Sequence, residues 1–148
     1  MKTSPQPQHR IVVGIDGSDP SKAALAWAIR QARLTGVPIE AVTAWEYPLT
    51  YGYPMQLAPA TTYEELAGQV LADVVGEADR RAEDIKITRS VTEGNAAQVL
   101  LDASDGADLL VVGSRGHGGF VEALLGSVGQ HCVHHATCPV VVIRDSVS

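Results

Sequence analysis

Two rhythms of apolar residues alternate along this 148-residue chain. Arg10-Ile11-Val12-Val13-Gly14-Ile15 is an almost unbroken apolar run, as expected of a parallel strand covered on both faces. Ala24, Leu25, Ala28, Ile29 and Ala32 then recur at helical spacing, which makes them a core stripe with Trp27 in the packing. Ser18 or Asp19 caps this helix, Pro20 sits near its first position and Gly36 ends it. Pro38 to Trp45 reads as a second strand, and Glu46 to Ala60, with prolines, tyrosines and no periodicity, reads as a long loop. Tyr63, Leu66, Ala67, Val70, Leu71, Val74, Val75 and Ala78 trace one face of a long helix, with Glu64, Glu65, Asp73, Glu77 and Arg81 on its solvated side. Ile85 to Val91 alternates apolar and polar positions with period two, the pattern of a strand covered on one side, and so falls at a sheet edge. Gly94-Asn95 opens a short helix through about Ala103, Ala107 to Val112 is a fourth strand, and a helix after Gly126 leads to a fifth, Pro139 to Ile143. Pro139 suits the first residue of a strand, where a missing N–H is tolerated.

Strands and helices that alternate in this way give right-handed crossovers and a parallel sheet with helices on both faces, a three-layer doubly wound α/β fold. Residues 1–9 read as a disordered tail and residues 10–145 as one domain, large enough to bury a core without disulfides. The 11 Lys and Arg against 17 Asp and Glu give a net charge of −6, which argues against a nucleic-acid polymer as partner. A single nucleotide held by backbone amides remains compatible with that charge. No apolar run approaches the roughly 20 residues of a membrane span, and the first ten residues lack the apolar core of a signal peptide, so a cytoplasmic protein without a membrane partner is expected.

One stretch carries the candidate chemistry. After the fourth strand the chain reads Gly113-Ser-Arg115-Gly116-His117-Gly118-Gly119, and Gly126-Ser127 opens the next helix. Glycines let a loop aim its N–H groups at an anion, and a helix start adds free N–H groups and the positive end of the macrodipole. The spacing of Gly113, two residues, Gly116, nine residues and Gly126-Ser127 resembles the nucleotide signature of the ATP-binding branch of the universal stress protein family. The first strand's end, Val13-Gly14-Ile15-Asp16-Gly17-Ser18, and the closing segment from His134 to Ile143 resemble that family as well. The resemblance implies an adenine nucleotide alpha hydrolase-like sheet of strand order 3-2-1-4-5, in which the winding reverses between the first and fourth strands.

Ligands of such sheets bind outside the strand ends at that reversal. Asp16 lies there, and its carboxylate suits ribose hydroxyls or a magnesium ion accompanying ATP. An ordinary turn or helix-cap aspartate is the competing reading. The resemblance assigns Gly14, Ile15 and Ala44 to the walls around base and ribose, against plain strand packing, and adds Val112, Gly113, Gly116, Gly119, Gly126, Ser127 and Val128 to the nucleotide set. Arg115 and His117 face either a polyphosphate or water. His131, Cys132, His134, His135 and Cys138 match no common structural zinc spacing, so no metal site is assigned to them, and the thiols read as reduced and mostly buried. No catalytic constellation stands out, and no loop ends in Gly-Lys-Ser/Thr to clamp phosphates.

The reading is an ATP-binding stress-response regulator with little turnover, working through an unknown protein partner. The alternatives are a slow ATP hydrolase and a dimeric adaptor that is nucleotide-free or binds cyclic AMP. The uncharged run Val140 to Ile143 at a sheet edge predicts a homodimer through that strand, against an edge covered by the tail Arg144 to Ser148.

Overall fold

The computed structural model describes residues 9–50, 52–55, 57–114 and 126–144. Its elements are β1 (Ile11–Gly14), α1 (Asp19–Thr35), β2 (Ile39–Trp45), β3 (Leu49–Thr50), β4 (Tyr53–Pro54), α2 (Ala60–Asp79), β5 (Ile87–Glu93), α3 (Ala96–Ser104), β6 (Leu109–Gly113), α4 (Ser127–His135) and β7 (Val140–Ile143). The large sheet runs β5-β2-β1-β6-β7, every pair parallel. Counted without the small hairpin β3-β4, this is the expected order 3-2-1-4-5.

Alternation along the central strands divides the core into two. Ile11 and Val13 of β1 and Val111 of β6 face α1 and α2, where they pack with Ala24, Leu25, Ala28, Leu71 and Val75. Val12, Leu110 and Val112 face the opposite side and pack with Val99 and Leu100 of α3 and Cys132 of α4. Full burial of each such side chain contributes about 1.5–3 kcal/mol, so the strands with two covered faces hold the sheet together. Trp27 packs against the first of these clusters, as the helical stripe predicts. Among the described residues β5 pairs with β2 alone, and its Ile87 and Val91 pack toward α2, the one-sided burial that its alternation predicts.

Local chemistry sets the helix ends. The Ser18 hydroxyl accepts from the Ser21 N–H at 3.3 Å, Pro20 occupies the first turn of α1, and Gly36 closes the helix at φ +77° with its N–H on the Ala32 carbonyl. At α3 the Asn95 side chain accepts from the Gln98 N–H at 3.2 Å.

The segment read as one long loop departs from expectation. It contains the antiparallel hairpin β3-β4, turned at Gly52 with φ +80°, and α2 starts at Ala60, three residues before the periodic face begins. Two-residue strands are too short to show a period, and the exposed Thr61 and Thr62 interrupt the apolar stripe of the first turn of α2.

Candidate functional site at the sheet switch point

The winding reverses between β1 and β6, and their carboxyl ends define the candidate site. Beyond β1 the chain folds into a tight hydrogen-bonded turn. The Asp16 carboxylate accepts from the Ser18 N–H at 2.9 Å and from the Ser18 hydroxyl, while Gly17 takes φ +83°. Asp16 therefore fills the turn role that competed with a ligand role. It is nevertheless exposed and borders a cleft of about 270 Å³ lined by Thr43, Ala44, Trp45, Tyr63, Leu66 and their neighbours. Thr43 is buried and donates its hydroxyl to the Ile15 carbonyl at 2.9 Å, which locks the ends of β1 and β2 together beneath this cleft.

Beside the end of β1 lies the end of β6, where α4 begins. The Ser114 N–H donates to the Ile143 carbonyl at 2.8 Å, and the Gly126 N–H donates to the Ser114 carbonyl, so α4 begins beside the end of β6. Gly126 takes the N-cap position with an extended backbone and no side-chain cap. The N–H of Gly126 is thus committed, and anion binding at this helix start falls to the first-turn amides of Ser127 and Val128.

Two of the predicted glycines have packing reasons of their own. A Cβ at Gly113 would lie 2.6 Å from the Pro20 Cβ, and one at Gly14 would lie 2.8 Å from a methyl of Leu100. The first contact sets the end of β6 directly against the first turn of α1. Ile15 and Val112 are buried in opposite halves of the core, so only their backbone groups can address a ligand directly, whereas Ala44 and Val128 are half-buried against the α3 side and Ala44 also borders the cleft. Arg115, Gly116, His117 and Gly119 lie outside the described residues.

Sequence reasoning missed the aromatic wall. The rings of Trp45 and Tyr63 are parallel within 11° at 6.1 Å between centroids, and Tyr47 sets its edge against both at 5.5 and 5.4 Å. Composition carried the signal, because Trp45, Tyr47, Tyr51, Tyr53 and Tyr63 gather most of the chain's aromatic residues into one short stretch. On α4, Cys132 is fully buried, and burial with the nearby Cys138 sulfur pushes its thiol up to about 11. Burial pushes the Cys138 thiol up as well. Both cysteines are free. No helix among the described residues is long and apolar enough to cross a membrane.

A parallel sheet of this order, covered by helices on both faces and cleft where its winding reverses, defines a doubly wound α/β domain. Within that class the chain belongs to the universal stress protein family, whose sequence model matches residues 8–144. It is 38% identical over 145 residues to universal stress protein Rv2623 of Mycobacterium tuberculosis, an alignment that covers 97% of this chain and 48% of that protein. The chain thus spans about half the length of the curated relatives it matches. Among solved structures it resembles the universal stress protein UspA of Lactobacillus plantarum, with a TM-score of 0.75, 22% identity and coverage of 95% of this chain and 100% of that one. It also resembles a universal stress protein in complex with cAMP, with a TM-score of 0.70, 26% identity and the same coverage.

Proposed function

We propose that this protein binds an adenine nucleotide, ATP in the leading reading, between the ends of β1 and β6 and uses it as a regulatory ligand in a stress response, with little turnover. The observation that supports the proposal is that an exposed carboxylate, Asp16, follows the end of β1, while the start of α4 at Gly126 is hydrogen-bonded to Ser114 at the end of the neighbouring β6. The donor set fits the parts of a nucleotide. A carboxylate accepts from ribose hydroxyls, first-turn amides donate to phosphate, and the apolar cleft beside Ala44 suits a base. Bound ATP would supply a polyphosphate charge for these amides to read. Asp16 is the carboxylate placed to meet a magnesium ion arriving with that ATP.

Cyclic AMP is a second reading, favoured by the 26% identical relative whose structure contains it. The proposal includes a homodimer through β7 and a partner protein that senses the nucleotide state. Isothermal titration of ATP, AMP and cAMP tests the site and ranks the ligands. A Gly126→Val variant places a branched side chain where phosphate would meet the helix, and its ATP affinity should fall about tenfold or more while its circular dichroism is retained. Unchanged affinity would sink the assignment.

A further inference from the structure

The last helix carries three histidines that the proposed nucleotide contacts leave idle. His131 and His135 lie one turn apart on α4, which places them on the same face. Their ring centroids are 4.5 Å apart with a tilt of 41°, whereas the His134 ring stands 6.5 Å from that of His135. All three are exposed to solvent.

This spacing is one that a chelate can use. A metal–nitrogen bond of about 2.0–2.1 Å puts each imidazole centroid about 3.2 Å from a shared ion, so two rings at about 90–110° stand about 4.5–5.2 Å apart. The observed separation falls within that interval. The pair also sits in the last turns of α4, where the helix dipole is negative and favours a cation. Cys132, between them in sequence, is fully buried among Val12, Leu110 and Val112, so its sulfur faces the core and not the exposed histidine pair. The donors are two imidazole nitrogens with water in the remaining positions, a set that suits borderline transition metals and not magnesium or calcium.

We propose that His131 and His135 form a surface site for a divalent transition-metal ion of the zinc, nickel and copper class, one ion per chain. Such an ion would clip one turn of a nine-residue helix, a length that is marginal without external support. The site rests on α4 alone and stands or falls independently of nucleotide binding.

The test is isothermal titration of the full chain with zinc chloride and, separately, nickel chloride, in a buffer that does not bind metal. Saturable binding of one ion per chain is expected. His131→Ala or His135→Ala should each weaken it about tenfold or more, and His134→Ala should change it by less than about twofold. Far-UV circular dichroism checks that the variants keep their helices. Zinc should also raise the thermal midpoint of the wild type and leave that of a variant carrying both His131→Ala and His135→Ala unchanged. Binding that survives the double substitution, equal loss in His134→Ala, or no saturation at millimolar metal would each overturn the proposal.

Discussion

Replacing Gly113 by alanine should damage the fold more than the same replacement at Gly14, although the two glycines end neighbouring strands. A Cβ at Gly113 would stand 2.6 Å from the Pro20 Cβ, 2.8 Å from its carbonyl carbon and 2.9 Å from its carbonyl oxygen. Two of these atoms are backbone in the first turn of α1, which the Ser18 cap and the buried Ala24-Leu25 stripe hold in place. At Gly14 the nearest atoms are the Leu100 methyls, at 2.8 and 3.3 Å, the far end of a side chain that can turn aside. Overpacking against fixed atoms costs about 1–3 kcal/mol, and an off-rotamer leucine about 0.5–1.5 kcal/mol. Each alanine recovers about 0.4–1 kcal/mol by restricting the unfolded chain. The expected net is a loss of about 1–2 kcal/mol for Gly113→Ala and a change within about 1 kcal/mol for Gly14→Ala.

Equilibrium urea unfolding without nucleotide, followed by circular dichroism, reads both values. If the Gly113→Ala midpoint fell no further than that of Gly14→Ala, contact with α1 would not be what demands a glycine there. Ligand approach would then be the better reason for it. Under the packing account a second effect follows, because the neighbouring Ser114 holds both Ile143 and Gly126 by backbone hydrogen bonds. Moving the end of β6 should therefore weaken nucleotide binding as well as stability.

Two further outcomes are expected. Steady-state ATP hydrolysis should fall well below the roughly 1–10³ s⁻¹ of ordinary enzymes, and a rate within that range that Asp16→Ala abolishes would establish an enzyme instead. The raised thiol of Cys132 favours the protonated fold, so its contribution is complete below the ordinary value of 9.0 and is lost as pH rises through about 11. The loss should be on the order of 2 kcal/mol, read as a fall in unfolding free energy between pH 8 and pH 11 that is smaller in Cys132→Val.

The two-period pattern carried the sheet, because a strand buried on both faces leaves an apolar run and a helix buried on one face leaves a stripe. Val12 and Val13 face opposite clusters, yet they read as one run, so the pattern gives the strand without saying which helices cover which residue. The β3-β4 hairpin stayed hidden because two residues have no period to detect. At the site, Asp16, Gly113 and Gly126 were legible as chain breaks after strands or before a helix. What the glycines do was not legible, since a glycine that admits Pro20 and one that admits a phosphate look identical in sequence. Thr43 was equally silent. Its hydroxyl matters only because β2 places it beside the Ile15 carbonyl, a contact made across 28 positions of sequence.

The homodimer prediction gains a sharper test from the register of β7. Among the described residues β7 pairs only with β6, and its four side chains are half-buried in a strand whose type is otherwise found in a core. The Leu110 N–H donates to the Pro139 carbonyl and the Ser114 N–H to the Ile143 carbonyl, so residues 139, 141 and 143 turn their peptide groups inward to β6. Parallel strands alternate, which leaves the N–H and C=O groups of Val140 and Val142 pointing off the open edge. A second copy pairing about a two-fold axis would satisfy these groups and close the edge. Proline at position 142 removes an outward donor and should convert a dimer to a monomer that still unfolds cooperatively, because proline is tolerated on a free edge. Proline at position 141 removes an inward donor instead, leaves the Leu110 carbonyl unpaired and should cost the protomer itself about 1–3 kcal/mol. Light scattering at micromolar concentration gives the mass of each form, and urea unfolding gives its stability. A wild type that is monomeric would defeat the dimer, and a Val142→Pro protein that remains dimeric would move the interface away from β7.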